Sequence, residues 1–434
     1  MTDRTIAVDY VARVEGEGAL AVRISGRAVE AVELNIFEPP RFFEAFLRGR
    51  DFAEAPDITA RICGICPVAY QMSACHALER ALGMRVDGPI RDLRRLLYCG
   101  EWIESHVLHI YLLHAPDFLG YPDALRLARD HPEAVKRGLR LKQVGNRLME
   151  LLGGRAIHPI NVRIGGFYRV PSREELFAFR PQLEEALALA EATVRWVADF
   201  PFPDDEEEYD FVSLRHPDEY PMNEGEVVSS SGVRLPVDRY EEVFEERQVP
   251  YSTALHSVRR GGGAYLVGPL ARFALNQDRL SPRARVLARE AGVLGPVRNP
   301  YRSIVVRAIE VVLAVEEALR LIDGYRPPDR PFVPPPPLPA SADGAAITEA
   351  PRGMLYHRYR LGAGGRIDEA KIVAPTSQNQ GRIEEDVRHL VERSLDLDDA
   401  ALGDRCEKAI RNHDPCISCA THFLRLDVSR RPGP

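Results

Sequence analysis

Two cysteine pairs of the form C-x-x-C stand near opposite ends of this 434-residue chain. Cys63 and Cys66 lie in RICGICP, and Cys416 and Cys419 lie in DPCISCATH. Four thiolates can bind one soft metal ion, so the pattern indicates a metal site. A structural zinc site is the simplest interpretation of such pairs. The long separation between the pairs instead favours a buried site that the whole protein assembles.

The remaining cysteines, Cys75, Cys99 and Cys406, are isolated in the sequence, and we expect them to be buried as small apolar residues. An odd total of 7 cysteines argues against a disulfide framework and favours a reducing compartment. The N-terminal residues lack the pattern of a signal peptide, and no stretch approaches about 18 uncharged apolar residues. The sequence therefore predicts a cytoplasmic chain with no membrane span.

The composition is that of a soluble globular protein, with 45% hydrophobic and 28% charged residues. The formal net charge is -7, and no basic run of about five to eight residues occurs. We therefore expect no nucleic-acid partner. A chain of 434 residues can form a hydrophobic core large enough to enclose a site.

The elements that must position the cysteines are predicted from hydrophobic periodicity. We expect mainly α structure with a smaller β part (α+β) in a single large domain, 1–434. Its parts are a β-meander over 1–40, a helical bundle over 41–325, a Pro-rich spacer over 326–340, a C-terminal α/β part over 341–422 that closes over the metal site, and a tail over 423–434. The clearest helices span 92–113, 133–152, 174–198, 282–291 and 301–322, and the acidic run 204–210 (DDEEEYD) is predicted to be a solvated loop.

Four further motifs follow the first cysteine pair in a fixed order. They are GGRAIHPINVRIGGF (153–167), YLVGPLAR (265–272), EAPRG (349–353) and IVAPTSQN (372–379). Together with the cysteine pairs they resemble the large, catalytic subunit of nickel-iron hydrogenases, in particular the cytoplasmic, bidirectional branch linked to NAD(P). The resemblance implies an oxidoreductase that reversibly splits dihydrogen into protons and electrons.

Two alternatives have different chemistry. One is a redox-inactive structural zinc protein of the same fold, which would bind one zinc ion per chain on the four cysteines. The other is the related quinone-reducing subunit of respiratory complexes, but that subunit lacks the four-cysteine set present here.

The resemblance implies a nickel-iron centre on the four cysteines. Nickel would bind Cys63, Cys66, Cys416 and Cys419, and Cys66 and Cys419 would also bind an iron that carries carbon monoxide and cyanide. Soft thiolates suit a metal that changes oxidation state, which zinc does not do. A thiolate bound to nickel alone, such as Cys416, could also accept a proton.

The resemblance also assigns residues around the metals. Arg352, after Pro351, would lie over the open face, because a guanidinium stays cationic even when it is buried. Asp414 would pair with Arg352, although a helix-capping role before Pro415 competes with this interpretation. The Thr376 hydroxyl would donate a hydrogen bond to a cyanide.

Carboxyl groups complete the implied site. Glu15 would pass protons from the metals toward the surface, and the spacing alone does not separate it from Glu17, two residues further along the same strand. Glu44, the backbone carbonyl of Ile372 and His422 would bind Mg²⁺, which prefers oxygen ligands.

Two positions depart from the family pattern. Tyr70 replaces a histidine found in many relatives, although its phenol can still donate a hydrogen bond. Ser105 stands where relatives often have an aspartate, so an acidic residue is missing beside the metals.

The sequence also predicts partners. Too few cysteines remain to bind iron-sulfur clusters, and no G-x-G-x-x-G follows a predicted strand. We therefore expect an iron-sulfur small subunit, together with flavin- and NAD(P)-binding and iron-sulfur electron-transfer subunits. The resemblance further implies a maturation endopeptidase that removes residues 423–434.

Overall fold

The structure, a computed structural model, describes residues 4–421. Its N-terminal part is an antiparallel sheet of β1 (Arg4–Val8), β2 (Gly18–Ser25) and β3 (Ala28–Ile36), paired in that order. Leu20 and Val22 of β2 are buried, because side chains two residues apart lie on the same face of a strand. This sheet corresponds to the predicted β-meander.

Helices dominate the chain up to residue 198. They are α1 (Phe43–Leu47), α2 (Ala55–Thr59), α3 (Pro67–Ala81), α4 (Gly88–Leu108), α5 (Ala115–Leu119), α6 (Ala124–Asp130), α7 (Pro132–Gly153), α8 (Arg173–Phe177) and α9 (Arg180–Ala198). The predicted helix 174–198 is divided between α8 and α9, because Pro181 lacks the N–H that a continuous helix needs. The predicted helix 92–113 ends at Leu108 and continues as a π-helical turn, His109–His114.

Short strands interrupt the interval 41–325, so the predicted helical bundle does not extend over all of it. They are β4 (Val162–Arg163), β5 (Gly166–Phe167), β6 (Val212–Arg215), β7 (Glu226–Ser229), β8 (Arg234–Leu235), β9 (Phe244–Gln248) and β10 (Leu255–Arg259), and helix α10 (Tyr240–Val243) lies among them. Strands of two to five residues are too short for their alternating pattern to be distinguished from loops in the sequence.

The acidic run 204–210 forms no helix or strand, as expected of a loop, and Asp204, Glu206 and Glu208 are exposed, but the run is not solvated throughout. Glu207 is buried and accepts hydrogen bonds of 2.6 Å from His389 and Arg393. Tyr209 donates to Asp386 over 2.8 Å. The prediction of a solvated loop therefore holds only in part, because distant cationic side chains lie against this run and pair with some of its carboxylates.

Three further helices, α11 (Pro269–Asn276), α12 (Pro282–Glu290) and α13 (Ser303–Gly324), complete the helical part. Helix α13 packs against α4 and α9, and α4 also packs against α7. These helices share one apolar core with α3 and with all four cysteines of the C-x-x-C pairs. Within residues 4–421, no helix has the length and apolar character needed to cross a membrane.

The C-terminal part combines a sheet with helices. It contains β11 (Ala342–Ala350), β12 (Gly353–Leu361), β13 (Ile367–Val373), α14 (Pro375–Glu392), α15 (Asp399–Asn412) and α16 (Ile417–Ala420). The Pro-rich segment 326–340 forms no helix, and Val333 donates to the carbonyl of Gly165. Pro351 and Arg352 lie in the tight turn between β11 and β12. The predicted α+β class, mainly helical with a smaller β part, is confirmed.

Candidate metal centre

The two cysteine pairs come together in the core. Cys63 follows a short 3-10 turn, Cys66 directly precedes α3, Cys416 directly precedes α16, and Cys419 lies within α16. Their Sγ atoms all lie within 4.8 Å of one another, and all four residues are buried. The Sγ–Sγ distances are 3.5 Å for Cys63–Cys416 and 3.9 Å for Cys66–Cys419. We call these residues the cysteine cluster.

The negative charges of the cysteine cluster require a bound cation to neutralise them. Hydrogen bonds with the other three thiols lower the pKa of Cys63 well below its ordinary value. Burial raises the pKa of Cys416 well above its ordinary value. Four thiolates so close together repel one another unless a metal ion neutralises them, and soft sulfur donors select transition metals over Mg²⁺.

Arg352 and Asp414 form a buried ion pair beside the cysteine cluster. Arg352 donates from Nε to the carbonyl of Asp414 over 2.8 Å and from a terminal nitrogen to its carboxylate over 3.1 Å. Burial alone would lower the pKa of Arg352, but Asp414 and the thiolates of Cys416, Cys66 and Cys63 raise it well above its ordinary value. The guanidinium is therefore cationic. Asp414 has a φ of 51°, a left-handed conformation that its contacts with Arg352 help to hold.

Glu15 contacts the cysteine cluster directly. Its backbone carbonyl accepts from the N–H of Ile417, and its carboxylate lies 3.1 Å from the Sγ of Cys416. The N–H of Ser418 donates to the same carboxylate oxygen over 3.1 Å. Glu15 is half-buried, whereas Glu17 is exposed. The structure thus separates two carboxylates that the spacing alone could not.

Four other predicted site residues lie in the core. Thr376 accepts a hydrogen bond of 2.9 Å from the N–H of Cys416. Burial, followed by the charges of the Cys419, Cys66 and Cys416 thiolates, raises the pKa of Tyr70 well above its ordinary value. Ser105 is buried in α4. The carbonyl of Pro351 accepts a hydrogen bond of 2.8 Å from Arg272.

Only part of the predicted Mg²⁺ site lies within the structure. A carboxylate oxygen of Glu44 accepts a hydrogen bond of 2.7 Å from the N–H of Ile372. Both residues line a small cavity that also touches Ser418, Cys419 and Thr421. His422 and the predicted tail, 423–434, lie outside the described residues.

Similarity to known proteins shows the family to which the chain belongs. Residues 41–138 and 240–422 match the family of nickel-dependent hydrogenases. The alpha subunit of sulfhydrogenase 1 from Pyrococcus furiosus is 35% identical over 97% of this chain and 98% of its own length. The chain belongs to the nickel-dependent hydrogenase family.

Two further similarities extend over nearly the whole hydrogenase chain. The beta subunit of the NAD-reducing hydrogenase HoxS from Cupriavidus necator is 29% identical over 97% of this chain and 95% of its own length. A crystal structure of an NAD+-reducing NiFe-hydrogenase in the H2-reduced state superposes with a TM-score of 0.84, at 28% identity. That superposition covers 96% of this chain and 99% of the other. The hydrogenase large-subunit assignment predicted from the motifs is confirmed.

The residues around the cysteine cluster fit a hydrogenase metal group. Nη1 of Arg352 and the hydroxyl of Tyr70 are buried, and neither has a hydrogen-bond partner within residues 4–421. Both lie beside the cysteine cluster, where a bound group could accept their hydrogen bonds. The match to nickel-dependent hydrogenases favours nickel over structural zinc at the cysteine cluster.

Sequence reasoning missed two residues that hold the cysteine segments of this hydrogenase. Arg41 donates to the carbonyl of Ile62 over 2.7 Å and also to that of Ser418, so it joins the two segments. Glu101 in α4 accepts from the first free N–H groups of α3, those of Val68 and Ala69, over 2.6 and 3.0 Å. Glu101 has no distinctive sequence signal, because Arg94, Glu104 and Ser105 lie at helical spacing from it on the same face of α4.

Proposed function

We propose that this hydrogenase subunit splits dihydrogen reversibly and heterolytically at the cysteine cluster. Cys63, Cys66, Cys416 and Cys419 would hold nickel, and Cys66 and Cys419 would also hold an iron carrying carbon monoxide and cyanide. When bound, this metal group polarises dihydrogen and takes up its two electrons. The overall conversion is one H2 into two protons and two electrons.

The contact between Cys416 and Glu15 carries this proposal. A proton released in the reaction is accepted by the sulfur of Cys416 and passed to the carboxylate of Glu15, 3.1 Å away. Glu15 is half-buried at the edge of the core, so it can exchange that proton with groups nearer the surface. Proton transfer between groups at hydrogen-bond distance needs no rearrangement of the chain.

Arg352 and its neighbours orient what binds at the cysteine cluster. The free Nη1 of Arg352 would donate to a cyanide or polarise incoming dihydrogen, while Asp414 fixes the guanidinium. Thr376 holds the backbone of Cys416 and keeps its own hydroxyl hydrogen for a cyanide. Tyr70 would donate in place of the histidine of many relatives. Ser105 and Pro351 would shape the same space.

A Mg²⁺ ion would attach the C-terminal segment to the core. Its proposed ligands are the carboxylate of Glu44, the carbonyl of Ile372 and His422. Oxygen ligands with retained waters suit this ion, and the position beside Ser418 and Cys419 would brace the second cysteine pair.

The electrons would leave through other subunits. Outside the cysteine cluster, the described residues provide no group of three or more metal-ligating side chains, and Cys75, Cys99 and Cys406 are buried. An iron-sulfur small subunit would therefore receive the electrons. The NAD-reducing relatives support onward transfer of the electrons to NAD. Flavin- and NAD(P)-binding subunits would carry out that transfer, and the complex would work in the cytoplasm. A maturation endopeptidase would remove residues 423–434.

Metal analysis combined with infrared spectroscopy of the purified complex tests this function. We expect nickel and iron in the preparation, together with isolated carbonyl and cyanide stretching bands. Zinc alone, without those bands, in a matured complex would establish the structural zinc alternative. Reduction of NAD+ and NADP+ by the whole complex under hydrogen tests the proposed electron route separately.

A further inference from the structure

A second buried arginine, Arg272 in α11, lies at the centre of a fully paired ionic cluster. It contacts Glu310 through two hydrogen bonds of 2.9 and 2.8 Å and Glu349 through one of 3.0 Å. Its guanidinium carbon lies 4.4 Å from the ring centre of Trp102. All of these side chains are fully buried. Arg272 ends the motif YLVGPLAR (265–272), and the proposed reaction assigns it no role.

The remaining hydrogen bonds of Arg272 go to the backbone just before Arg352. Arg272 donates to the carbonyl of Ala350 over 2.7 Å and to that of Pro351 over 2.8 Å. The indole N–H of Trp102 donates to the carbonyl of Glu349 over 3.0 Å. The ionic cluster therefore fixes three successive carbonyls at the end of β11.

The start of α11 also packs directly against this turn. A Cβ added to Gly268, which has a φ of 107°, would lie 2.6 Å from the carbonyl oxygen of Arg352. A Cβ added to Gly353 would lie 2.8 Å from the backbone nitrogen of Gly268. The two backbones can approach this closely only because both residues are glycine. Residues 350–353 thus contact the first turn of α11 at both Gly268 and Arg272.

We infer that Arg272 is a positioning residue for Arg352. By holding the carbonyls of Ala350 and Pro351, it sets where the guanidinium of Arg352 lies relative to the cysteine cluster. Burying a guanidinium with two carboxylates is costly, and a well-packed apolar core would often be as stable. Placing Arg352 gives this cluster a function beyond stability. The inference rests on the proposed role of Arg352 in the reaction.

The test compares Arg272→Lys with Arg94→Lys in the purified complex. Lysine keeps the charge but cannot reproduce the planar fork that reaches two carboxylates and two carbonyls. Arg94 is the matched control, because it is also buried and binds Glu79 and the carbonyl of Arg163, away from residues 350–353. We expect Arg272→Lys to retain nickel and lose about 100-fold in kcat, as misplacement by about 1 Å can cause. Arg94→Lys should keep the wild-type rate.

Two measurements separate positioning from a merely structural role. The carbonyl and cyanide infrared bands should shift in Arg272→Lys and not in Arg94→Lys. In a double-mutant cycle with Arg352→Lys, Arg272→Lys should cause no further loss, because the guanidinium that it positions is already absent. An equal loss of kcat from Arg272→Lys in the wild-type and Arg352→Lys backgrounds would overturn the inference. A wild-type rate in Arg272→Lys alone would also overturn it.

Trp102→Phe provides a second variant if Arg272→Lys does not accumulate as a nickel-loaded complex. It removes the hydrogen bond to the carbonyl of Glu349 and part of the ring that contacts Arg272, His106 and Tyr220. We expect a smaller loss of rate that again disappears when Arg352 is lysine, and a loss of equal size in both backgrounds would overturn the inference. A wild-type rate in Arg352→Lys alone would instead remove the proposed role of Arg352, and the inference with it.

Discussion

The surroundings of Arg272 and Arg352 differ in one respect, although both side chains are buried. Each of the five N–H bonds of Arg272 has an acceptor, in Glu310, Glu349 or a backbone carbonyl. Arg352 is paired with Asp414, but its Nη1 has no partner within residues 4–421. The hydrogen bonds of Arg272 are thus all satisfied within the protein, whereas Nη1 of Arg352 would need a bound group as its acceptor.

This difference distinguishes scaffold from site. Leaving a buried polar group unpaired costs about 1–3 kcal/mol, so a stable protein tolerates it where a ligand supplies the missing partner. The hydroxyl of Tyr70 repeats the pattern beside the cysteine cluster. Nη1 of Arg352 and the hydroxyl of Tyr70 thus lie beside the cysteine cluster, where a bound group could accept their hydrogen bonds, whereas Arg272 needs no such group.

The largest loss of activity should come from removing one of the proposed metal ligands of the cysteine cluster. Cys416→Ser replaces a soft thiolate with a poorly ionised hydroxyl, so we expect no bound nickel and no hydrogen uptake. The control is Cys406→Ser, because Cys406 is buried in α15 outside the cysteine cluster. Nickel content and hydrogen uptake are measured on the purified complex. Full nickel occupancy in Cys416→Ser would contradict the assignment.

The next effect concerns the proton. Glu15→Gln keeps the shape of the side chain but cannot carry a proton, so we expect hydrogen uptake to fall by about 100- to 10,000-fold with nickel retained. Glu17→Gln, which changes an exposed carboxylate two residues away, should leave the rate unchanged. Equal losses in the two variants would show that charge near β2, rather than proton transfer by Glu15, controls the rate.

A smaller effect, on stability, should follow from removing the hydrogen-bond acceptor of the Cys416 N–H. Thr376→Val removes the acceptor of the Cys416 N–H, and we expect a loss of about 1–3 kcal/mol in stability, seen as a lower thermal midpoint. Thr376→Ser keeps the hydroxyl and should restore most of that loss. If serine and valine are equally destabilising, the methyl group rather than the hydrogen bond is what matters.

The last prediction extends the comparison to Glu384, a carboxyl group that is both buried and hydrogen-bonded. Burial raises the pKa of Glu384 to about 7, and its oxygens accept from the N–H of Leu34 and the hydroxyl of Tyr251. The ordinary glutamate pKa is about 4.3, so the folded chain holds a proton that the unfolded chain releases. Its contribution to stability is full below about pH 4.3 and is lost as the pH rises through about 7.

Glu384→Gln removes this titration while keeping an acceptor. We expect the thermal midpoint of the variant to change less than that of wild type between about pH 5 and about pH 7. Glu392→Gln, on an exposed position of the same helix, is the control and should follow wild type. An unchanged pH dependence in Glu384→Gln would mean that other groups dominate in this range.

Much of the fold was predictable because local patterns specify it. The alternation of Leu20, Val22 and Ile24 predicted the first sheet, and the spacing of apolar residues predicted the long helices α7 and α13. The fold class and the hydrogenase assignment followed from ordered motifs. The predicted helices failed where a single proline or a π-helical turn interrupted an otherwise helical pattern.

Charged residues were the least predictable part. The acidic run 204–210 has the composition of a solvated loop, yet Glu207 is buried against His389 and Arg393. Arg41 and Glu101 hold the two cysteine segments, and neither has a distinctive spacing in the sequence. Whether a charge is solvated or paired depends on residues far away in the chain, which local patterns do not contain.

The sequence by itself determined which atoms are available for the chemistry, namely four soft thiolates in two pairs and a set of motifs that specify a hydrogenase. It also determined most of the long helices, because a helix depends on near neighbours. Only the tertiary structure decided that Glu15 rather than Glu17 reaches Cys416, and that Arg272 holds the backbone before Arg352. These pairings join segments that are distant in the chain, and packing of the whole core is what brings them within hydrogen-bond distance.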